Sequence, residues 1–129
     1  MTYYSEIVAA IDRELYNKDY LRNNVMRAKA FIDIHFAEDI NLNIIAREAY
    51  LSRYYFIRLF KQLYGLTPNQ YLASVRIEKA KILIRKGLSV SDACHEVGFA
   101  SMGSFTRLFK RTTGLLPSKI QKSNIGQIR

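Results

Sequence analysis

Apolar residues recur at helical spacing along almost the whole chain. A first stripe predicts a helix over about 4–16, capped by Ser5, and contains Tyr4, Ile7, Val8, Ile11 and Leu15. A second stripe predicts a helix over about 25–36 and contains Val25, Ala28, Ile32, His35 and Phe36. The residues at 17–24 are mostly polar, which favours a connector between the two helices.

The next stretch predicts a short helix followed by a longer one. The short helix covers about 42–49, with its inward positions at Leu42, Ile45, Ala46 and Ala49. The longer helix covers about 53–64, with Ser52 as its N-cap and Gly65 as its C-terminal stop. Its inward positions are Phe56, Leu59, Phe60 and Leu63.

Pro68 opens a third helical pattern, which continues until Gly87 ends it. A short helix, a turn and a longer helix then follow over about 90–113, and the tail from about Lys122 looks frayed. No segment shows sustained alternation of β-branched and polar residues. The predicted fold class is therefore all-α.

Two parts of the sequence repeat each other. "FIRLFK" at 56–61 returns as "FTRLFK" at 105–110, and each copy is followed by a glycine and then a proline. These letters match at an offset of 49, whereas the preceding short helices match at an offset of 48. The second copy therefore has one extra residue in its turn. A short helix, a tight turn and a longer helix form a helix-turn-helix, so the repeat predicts two such subdomains joined by a linker helix.

The outward face of each longer helix indicates what the repeat does. In the first copy this face contains Arg53, Tyr54, Ile57, Arg58 and Lys61. In the second copy it contains Met102, Gly103, Thr106, Arg107 and Lys110. An α-helix fits the DNA major groove, where arginine binds guanine bidentately and lysine holds phosphate. A basic face on one helix could simply be a solvated surface. The same Arg–Lys spacing in both copies is harder to explain in that way.

Charge strengthens this interpretation. The chain of 129 residues has a formal net charge of +9, which is unevenly distributed. Residues 1–50 hold 6 basic and 8 acidic side chains, whereas residues 51–129 hold 14 basic and 3 acidic ones. A basic C-terminal part predicts a polyanionic partner, either nucleic acid or an anionic membrane surface.

Other chemistry finds little support in the sequence. Cys94 is the single cysteine, which excludes an internal disulfide and favours a reducing compartment. Cys94 and His95 are neighbours on a helix, and with His35 they make no four-ligand metal site. We expect no catalytic group, metal or cofactor. Without a signal peptide or an apolar run long enough to span a bilayer, the expected location is the cytoplasm.

These residues resemble the AraC/XylS family of bacterial transcription regulators. The resemblance covers about residues 25–121, and its segments are "LNIIAREAYLSRYYFIRLFKQLYGLTPNQYL", "RIEKAKILI" and "VSDACHEVGFASMGSFTRLFKRTTGLLPSKI". It implies two helix-turn-helix subdomains whose recognition helices enter adjacent major-groove segments on one face of DNA. It also implies a regulator that is more often an activator than a repressor, with RNA polymerase as a partner.

The resemblance implies a DNA-facing set of side chains, carried over position by position. The set is Arg53, Tyr54, Ile57, Arg58, Lys61, Met102, Gly103, Ser104, Thr106, Arg107 and Lys110. Three departures stand out. Tyr50 occupies a turn position where many relatives have glycine, and Ile120 and Gln121 replace the usual terminal Tyr–Arg pair. Met102 and Gly103 offer little hydrogen bonding, so we expect the second subdomain to discriminate bases less sharply.

The predicted organisation has five parts. They are an N-terminal helical extension at 1–22, a first subdomain at 23–67, a linker helix at 68–87, a second subdomain at 88–122 and a tail at 123–129. A monomer would cover a two-part site on double-stranded DNA. The apolar stripe of the extension either packs onto the 25–36 helix, mediates a dimer or belongs to an interdomain segment.

Three alternatives remain open at this stage. The chain is either a stand-alone regulator or the DNA-binding fragment of a longer effector-responsive regulator. A basic helical module that binds an acidic protein is a rival from another class. A DNA-binding protein indifferent to sequence is the third.

Overall fold

The computed structural model describes the backbone of residues 2–120 and the side chains of residues 2–10 and 18–120. This part of the chain is helical, without strands, so the predicted all-α class is confirmed. Its helices are α1 (Tyr3–His35), α2 (Leu42–Glu48), α3 (Arg53–Tyr64), α4 (Pro68–Arg85), α5 (Val90–Glu96) and α6 (Met102–Thr113). A further helical turn begins at Pro117. The predicted frayed tail lies outside the described residues.

The first helix differs from its prediction. α1 runs without a break from Tyr3 to His35, so the connector predicted at 17–24 is wrong. That segment contains no Gly or Pro, and polar residues do not end a helix whose surroundings are solvent. The predicted extra N-terminal helix is present, but it is continuous with the helix of the first subdomain.

The start of α1 also corrects two expectations. Thr2, rather than Ser5, acts as the cap, because the Ser5 backbone N–H donates to the Thr2 Oγ1 at 3.2 Å. A stripe within one continuous helix cannot pack onto a later part of the same helix, so that alternative is wrong. Tyr4, Ile7 and Val8 are exposed. The side chains of the other two stripe positions, Ile11 and Leu15, lie outside the described residues.

The chain divides into two compact units. The first unit holds the chain up to Phe31 together with Leu42–Pro68, and the second holds Ile32–Asn41 and the chain from Asn69 onward. In the first unit, the buried apolar side chains are Val25, Ala28, Ile45, Ala46, Ala49, Phe56, Phe60 and Pro68. Phe56 and Phe60 meet edge to face with their ring centroids 5.6 Å apart.

Leu63 was predicted to face inward, and it does not. Its side chain is 39% exposed, whereas Phe56 and Phe60 are fully buried. Helical spacing puts Leu63 on the same side, but it lies in the last turn of α3. There it lines an open groove with Leu21 and Val25 of α1 instead of the closed core. Leu59 and Leu42 are half-buried.

The second unit has its own core. Its buried residues are Ile77, Ala80, Ile84, Ala93, Cys94, Val97, Phe105, Phe109 and Ile120. Phe105 lies at the centre of an aromatic row, with its ring 5.2 Å from that of Phe99 and 5.5 Å from that of Phe109. Ile120, which replaces the tyrosine usual in relatives, is buried in this core. No helix in the part of the chain that the structure describes is long and apolar enough to cross a membrane.

Candidate nucleic-acid interface

The ends of α3 are fixed by the residues that the sequence indicated. The Ser52 Oγ accepts a hydrogen bond from the Tyr55 backbone N–H at 3.3 Å, which satisfies one donor of the first turn. Gly65 adopts a left-handed φ of 77°, and its N–H donates to the Lys61 carbonyl. Both predictions are confirmed. The boundaries and the orientation of α3 therefore follow from its caps and its two buried phenylalanines.

The outward face of α3 is basic and aromatic. Arg53, Tyr54, Arg58 and Lys61 are exposed, while Ile57, which lies between Arg53 and Lys61 on this face, is half-buried. The Arg58 guanidinium carbon lies 5.8 Å from the centre of the Tyr54 ring, within the range of a cation–π contact. Arg53 reaches towards α2, where its Nη1 lies 3.5 Å from the Asn43 Oδ1.

α6 is built in the same way. The Ser101 Oγ accepts from the Ser104 backbone N–H at 3.2 Å. Gly114, at a φ of 81°, donates its N–H to the Lys110 carbonyl. These two bonds confirm Ser101 as the N-cap and Gly114 as the counterpart of Gly65. Because the Ser104 N–H is engaged in the cap, only the Ser104 hydroxyl remains for a ligand.

The outward face of α6 contains the second part of the expected set. Met102, Gly103, Ser104, Arg107 and Lys110 are exposed, and Thr106 is half-buried. Five of these six residues, Ser104 excepted, line one open depression together with Arg111 and Leu116. Sequence reasoning missed Arg111. Its signal was its position four residues after Arg107, one helical turn along the same face.

The two turns differ in length, as predicted from the offsets. Residues 49–52 separate α2 from α3, whereas residues 97–101 separate α5 from α6. They also differ in how the left-handed position is filled. Tyr50 takes a φ of 55° in the first turn, and Gly98 takes a φ of 94° in the second. Tyrosine therefore adopts the conformation that glycine usually provides.

Arg27 of α1 supports the tyrosine in the first turn. Its Nη1 donates to the Tyr50 hydroxyl at 3.2 Å, and its guanidinium carbon lies 5.4 Å from the Tyr50 ring centre. A left-handed non-glycine residue costs roughly 1–2 kcal/mol. An exposed cation–π contact contributes about 0.5–1 kcal/mol, so the pair offsets part of that strain.

Arg76 of α4 performs a comparable role in the second unit. Its Nε donates to the Phe36 carbonyl at 2.7 Å and its Nη2 to the Glu38 carbonyl at 3.0 Å. The same guanidinium lies 5.8 Å from the Phe99 ring centre. Burial lowers the pKa of Arg76, and the carboxylate of Asp39 opposes that effect. Arg76 thus ties the corner after α1 to the turn that precedes α6.

Cysteine and histidine form no reactive centre here. Cys94 is buried, as predicted, and burial raises the pKa of its thiol, which disfavours the nucleophilic thiolate. His35 contacts the carboxylate of Glu38. Across the described residues, no group of three or more His, Cys, Asp or Glu side chains could hold a metal ion.

Known proteins are similar to this chain in sequence and in fold. A family model described as a helix-turn-helix domain matches residues 45–123. The HTH-type transcriptional activator RhaS from Escherichia coli (strain SE11) is 33% identical over 113 residues, which are 84% of this chain and 41% of that protein. The chain therefore spans about two fifths of the length of the curated relatives that it matches.

The chain is also similar to solved structures, including two regulator domains. One is the DNA-binding domain of the global transcriptional factor AdpA in complex with a target DNA, at 27% identity and a TM-score of 0.75, covering 80% of this chain and 94% of that one. The other is the C-terminal domain of AraT, a response regulator from Geobacillus stearothermophilus. It is 28% identical with a TM-score of 0.73, and the match covers 78% of this chain and 84% of that one.

Proposed function

The chain belongs to the AraC/XylS family of helix-turn-helix transcription regulators, and we propose that it binds duplex DNA sequence-specifically through α3 and α6. Each helix inserts its outward face into the major groove. The two groove segments are adjacent on one face of the DNA, so that one molecule covers a two-part site. The centres of the two parts lie about 10 bp apart, one helical turn of DNA.

The observation that carries this proposal is the duplicated, exposed Arg–Lys pair. Arg58 and Lys61 on α3 recur as Arg107 and Lys110 on α6, and all four side chains are exposed. Each pair projects from a helix of the same length with the same caps and two buried phenylalanines. The repetition therefore extends from the sequence to the surface that a ligand would meet.

Chemistry divides the roles within each pair. Arginine offers a planar fork of donors that matches guanine O6 and N7, so Arg58 and Arg107 contact base edges. Lysine is a compact point charge, so Lys61 and Lys110 hold phosphates. Met102 and Gly103 provide little hydrogen bonding, which leaves α6 with fewer ways to discriminate bases than α3.

The relatives support a proposal about the regulatory role of the whole protein. RhaS is described as a transcriptional activator, which favours activation and a contact with RNA polymerase. The match covers only 41% of the length of RhaS, which favours a parent chain with further domains. The proposed location is the cytoplasm of a bacterium. The exposed stripe of Tyr4, Ile7 and Val8 favours a dimer contact through α1 when a second copy is present.

Selection of binding sites from random duplexes tests the proposed function. Enrichment of a two-part motif with half-sites about 10 bp apart is the expected result. Uniform recovery of duplexes would instead indicate binding without regard to sequence. Recovery of none would contradict DNA binding and favour an acidic protein as the partner of the basic face.

Replacing Arg58 or Arg107 with alanine is expected to cost about 1–3 kcal/mol of binding free energy. Because each arginine contacts one base, the preference should relax at a single position of the selected site. Fluorescence anisotropy with the selected duplex and its single-base variants measures both effects. Arg22→Ala, which removes an exposed arginine of α1, serves as the control. Equal losses on selected and random DNA would contradict the assigned base contacts.

Replacing Lys110 with alanine is expected to weaken binding to every duplex by a similar factor. Loss of one phosphate contact should also reduce the slope of log K against log salt by about one unit. Titrations at four or more salt concentrations determine the slope, and Lys86→Ala removes an exposed lysine outside the two helices. An unchanged slope in the Lys110 variant would show that Lys110 does not hold a phosphate.

A further inference from the structure

We propose that Tyr54 is a positioning residue, which holds the Arg58 guanidinium in readiness for a base and makes α3 the more selective of the two helices. This inference rests on the proposed function and adds a cause for unequal selectivity. Its starting point is the cation–π pair on α3, with the Arg58 guanidinium carbon 5.8 Å from the centre of the Tyr54 ring. The contact joins residues one helical turn apart, whose side chains share a face.

The ring does not contribute to the core. Tyr54 is 72% exposed, on the face opposite the buried Phe56 and Phe60. An aromatic ring at this distance attracts the guanidinium group and limits the positions that it visits, while its N–H donors stay available. Bidentate binding of guanine uses those same donors. Less conformational freedom is then lost on binding, which is the general benefit of preorganisation.

The second unit supplies an internal comparison. Gly103 occupies the position that corresponds to Tyr54, four residues before Arg107. The side chain of Arg107 therefore has no ring at the equivalent place. A Cβ added at Gly103 would meet no atom within 4 Å, so steric crowding does not explain the glycine. The two helices share their arginine and differ in what holds it.

The consequence is a division of labour between the two half-sites. Arg58, held by Tyr54, distinguishes bases in the half-site of α3. Arg107, without such a partner, adapts to several bases and contributes more evenly to affinity. Most of the information in a selected site should therefore lie in the half bound by α3.

The free protein provides a test that needs no DNA. A ring current from Tyr54 should move the NMR resonances of the Arg58 side-chain protons upfield. We expect that displacement to disappear in Tyr54→Ala and to persist in Tyr54→Phe. Arg58 shifts that are the same in the wild type and Tyr54→Ala would overturn the proposal, whatever the result of the DNA experiments.

Binding assays on the selected site test the functional half. Tyr54→Ala is expected to reduce discrimination at the Arg58 position about 2–5-fold, the worth of an exposed cation–π contact. Tyr54→Phe should retain it, because phenylalanine also presents a ring face. In an Arg58→Ala background, Tyr54→Ala should leave that discrimination unchanged. A remaining effect in that background would make Tyr54 an independent base contact and overturn its positioning role.

The glycine offers the reverse experiment. Gly103→Tyr should increase discrimination at the Arg107 position relative to Gly103→Ala, because both variants change the helix backbone and only one adds a ring. No gain would overturn the claim that the missing ring separates the two helices. These failures differ from failure of the proposed function, in which the wild-type protein would select no motif at all.

Discussion

Phe105→Ala is expected to lower the free energy of unfolding of the second unit by about 3–5 kcal/mol. The side chain is fully buried, and its ring lies between those of Phe99 and Phe109. Truncation to alanine removes both aromatic contacts and leaves a cavity that neighbouring helices fill only in part. Such a loss is a large fraction of the total stability of a small domain, which is about 5–15 kcal/mol.

The effect should reach the DNA-binding surface, because α6 carries both Phe105 and Arg107. Denaturant titration followed by circular dichroism measures the stability, and hydrogen exchange of the α6 amides locates the loss. Leu115→Ala, which truncates a side chain that is 51% exposed, is the control and should change stability by less than about 0.5 kcal/mol. A loss below about 1 kcal/mol in Phe105→Ala would show that α6 does not depend on this ring.

The boundaries of α3 and α6 were predictable because the caps and the apolar spacing agree in each helix. Ser52 and Gly65 frame α3, Ser101 and Gly114 frame α6, and the apolar spacing between them is helical. The repetition of these signals makes the outward face predictable from the sequence alone. Burial then divides that face more finely, since Ile57 and Thr106 are half-buried and the other members are exposed.

α1 was not predictable in the same way. Polarity at 17–24 indicated a connector, yet polar residues are equally compatible with a helix whose surroundings are solvent. The informative signal was that 17–24 contains no Gly or Pro that would interrupt a helix. Apolar periodicity indicates that one side of a helix is buried. It therefore cannot predict a helix that is exposed on all sides.

Contacts between particular side chains could not be predicted from the sequence. The chain shows Tyr50 where its second copy has Gly98, but it does not show that Arg27, in a different helix, reaches the Tyr50 ring. The pairing of Tyr54 with Arg58 depends on side-chain rotamers as well as spacing. Both contacts refine the candidate site, and both depend on the three-dimensional positions of the side chains.

Gly98 shows how closely the second turn is constrained. Its φ of 94° lies where side chains are strained, and a Cβ added there would lie 2.9 Å from the Ala37 carbonyl oxygen. Ala37 cannot easily withdraw, because Arg76 holds the carbonyls of Phe36 and Glu38 on either side of it. The glycine is thus required by two separate causes, its backbone conformation and the approach of another backbone.

Gly98→Ala is therefore expected to lower the free energy of unfolding by about 2–4 kcal/mol, through strain and overpacking together. Gly87→Ala is the matched control, since Gly87 has a similar φ of 106° with no atom within 4 Å of the added Cβ. That variant should show only the backbone term of about 1–2 kcal/mol.

Denaturant titration of both variants isolates the contribution of the contact with Ala37. The double variant Gly98→Ala/Arg76→Ala tests the role of Arg76. Without Arg76, Ala37 should be able to move away from the added Cβ. The loss in free energy of unfolding should therefore be smaller than the sum of the losses in the two single variants. Equal losses in Gly98→Ala and Gly87→Ala would contradict the close approach. Strict additivity in the double variant would contradict the role of Arg76 in holding that corner.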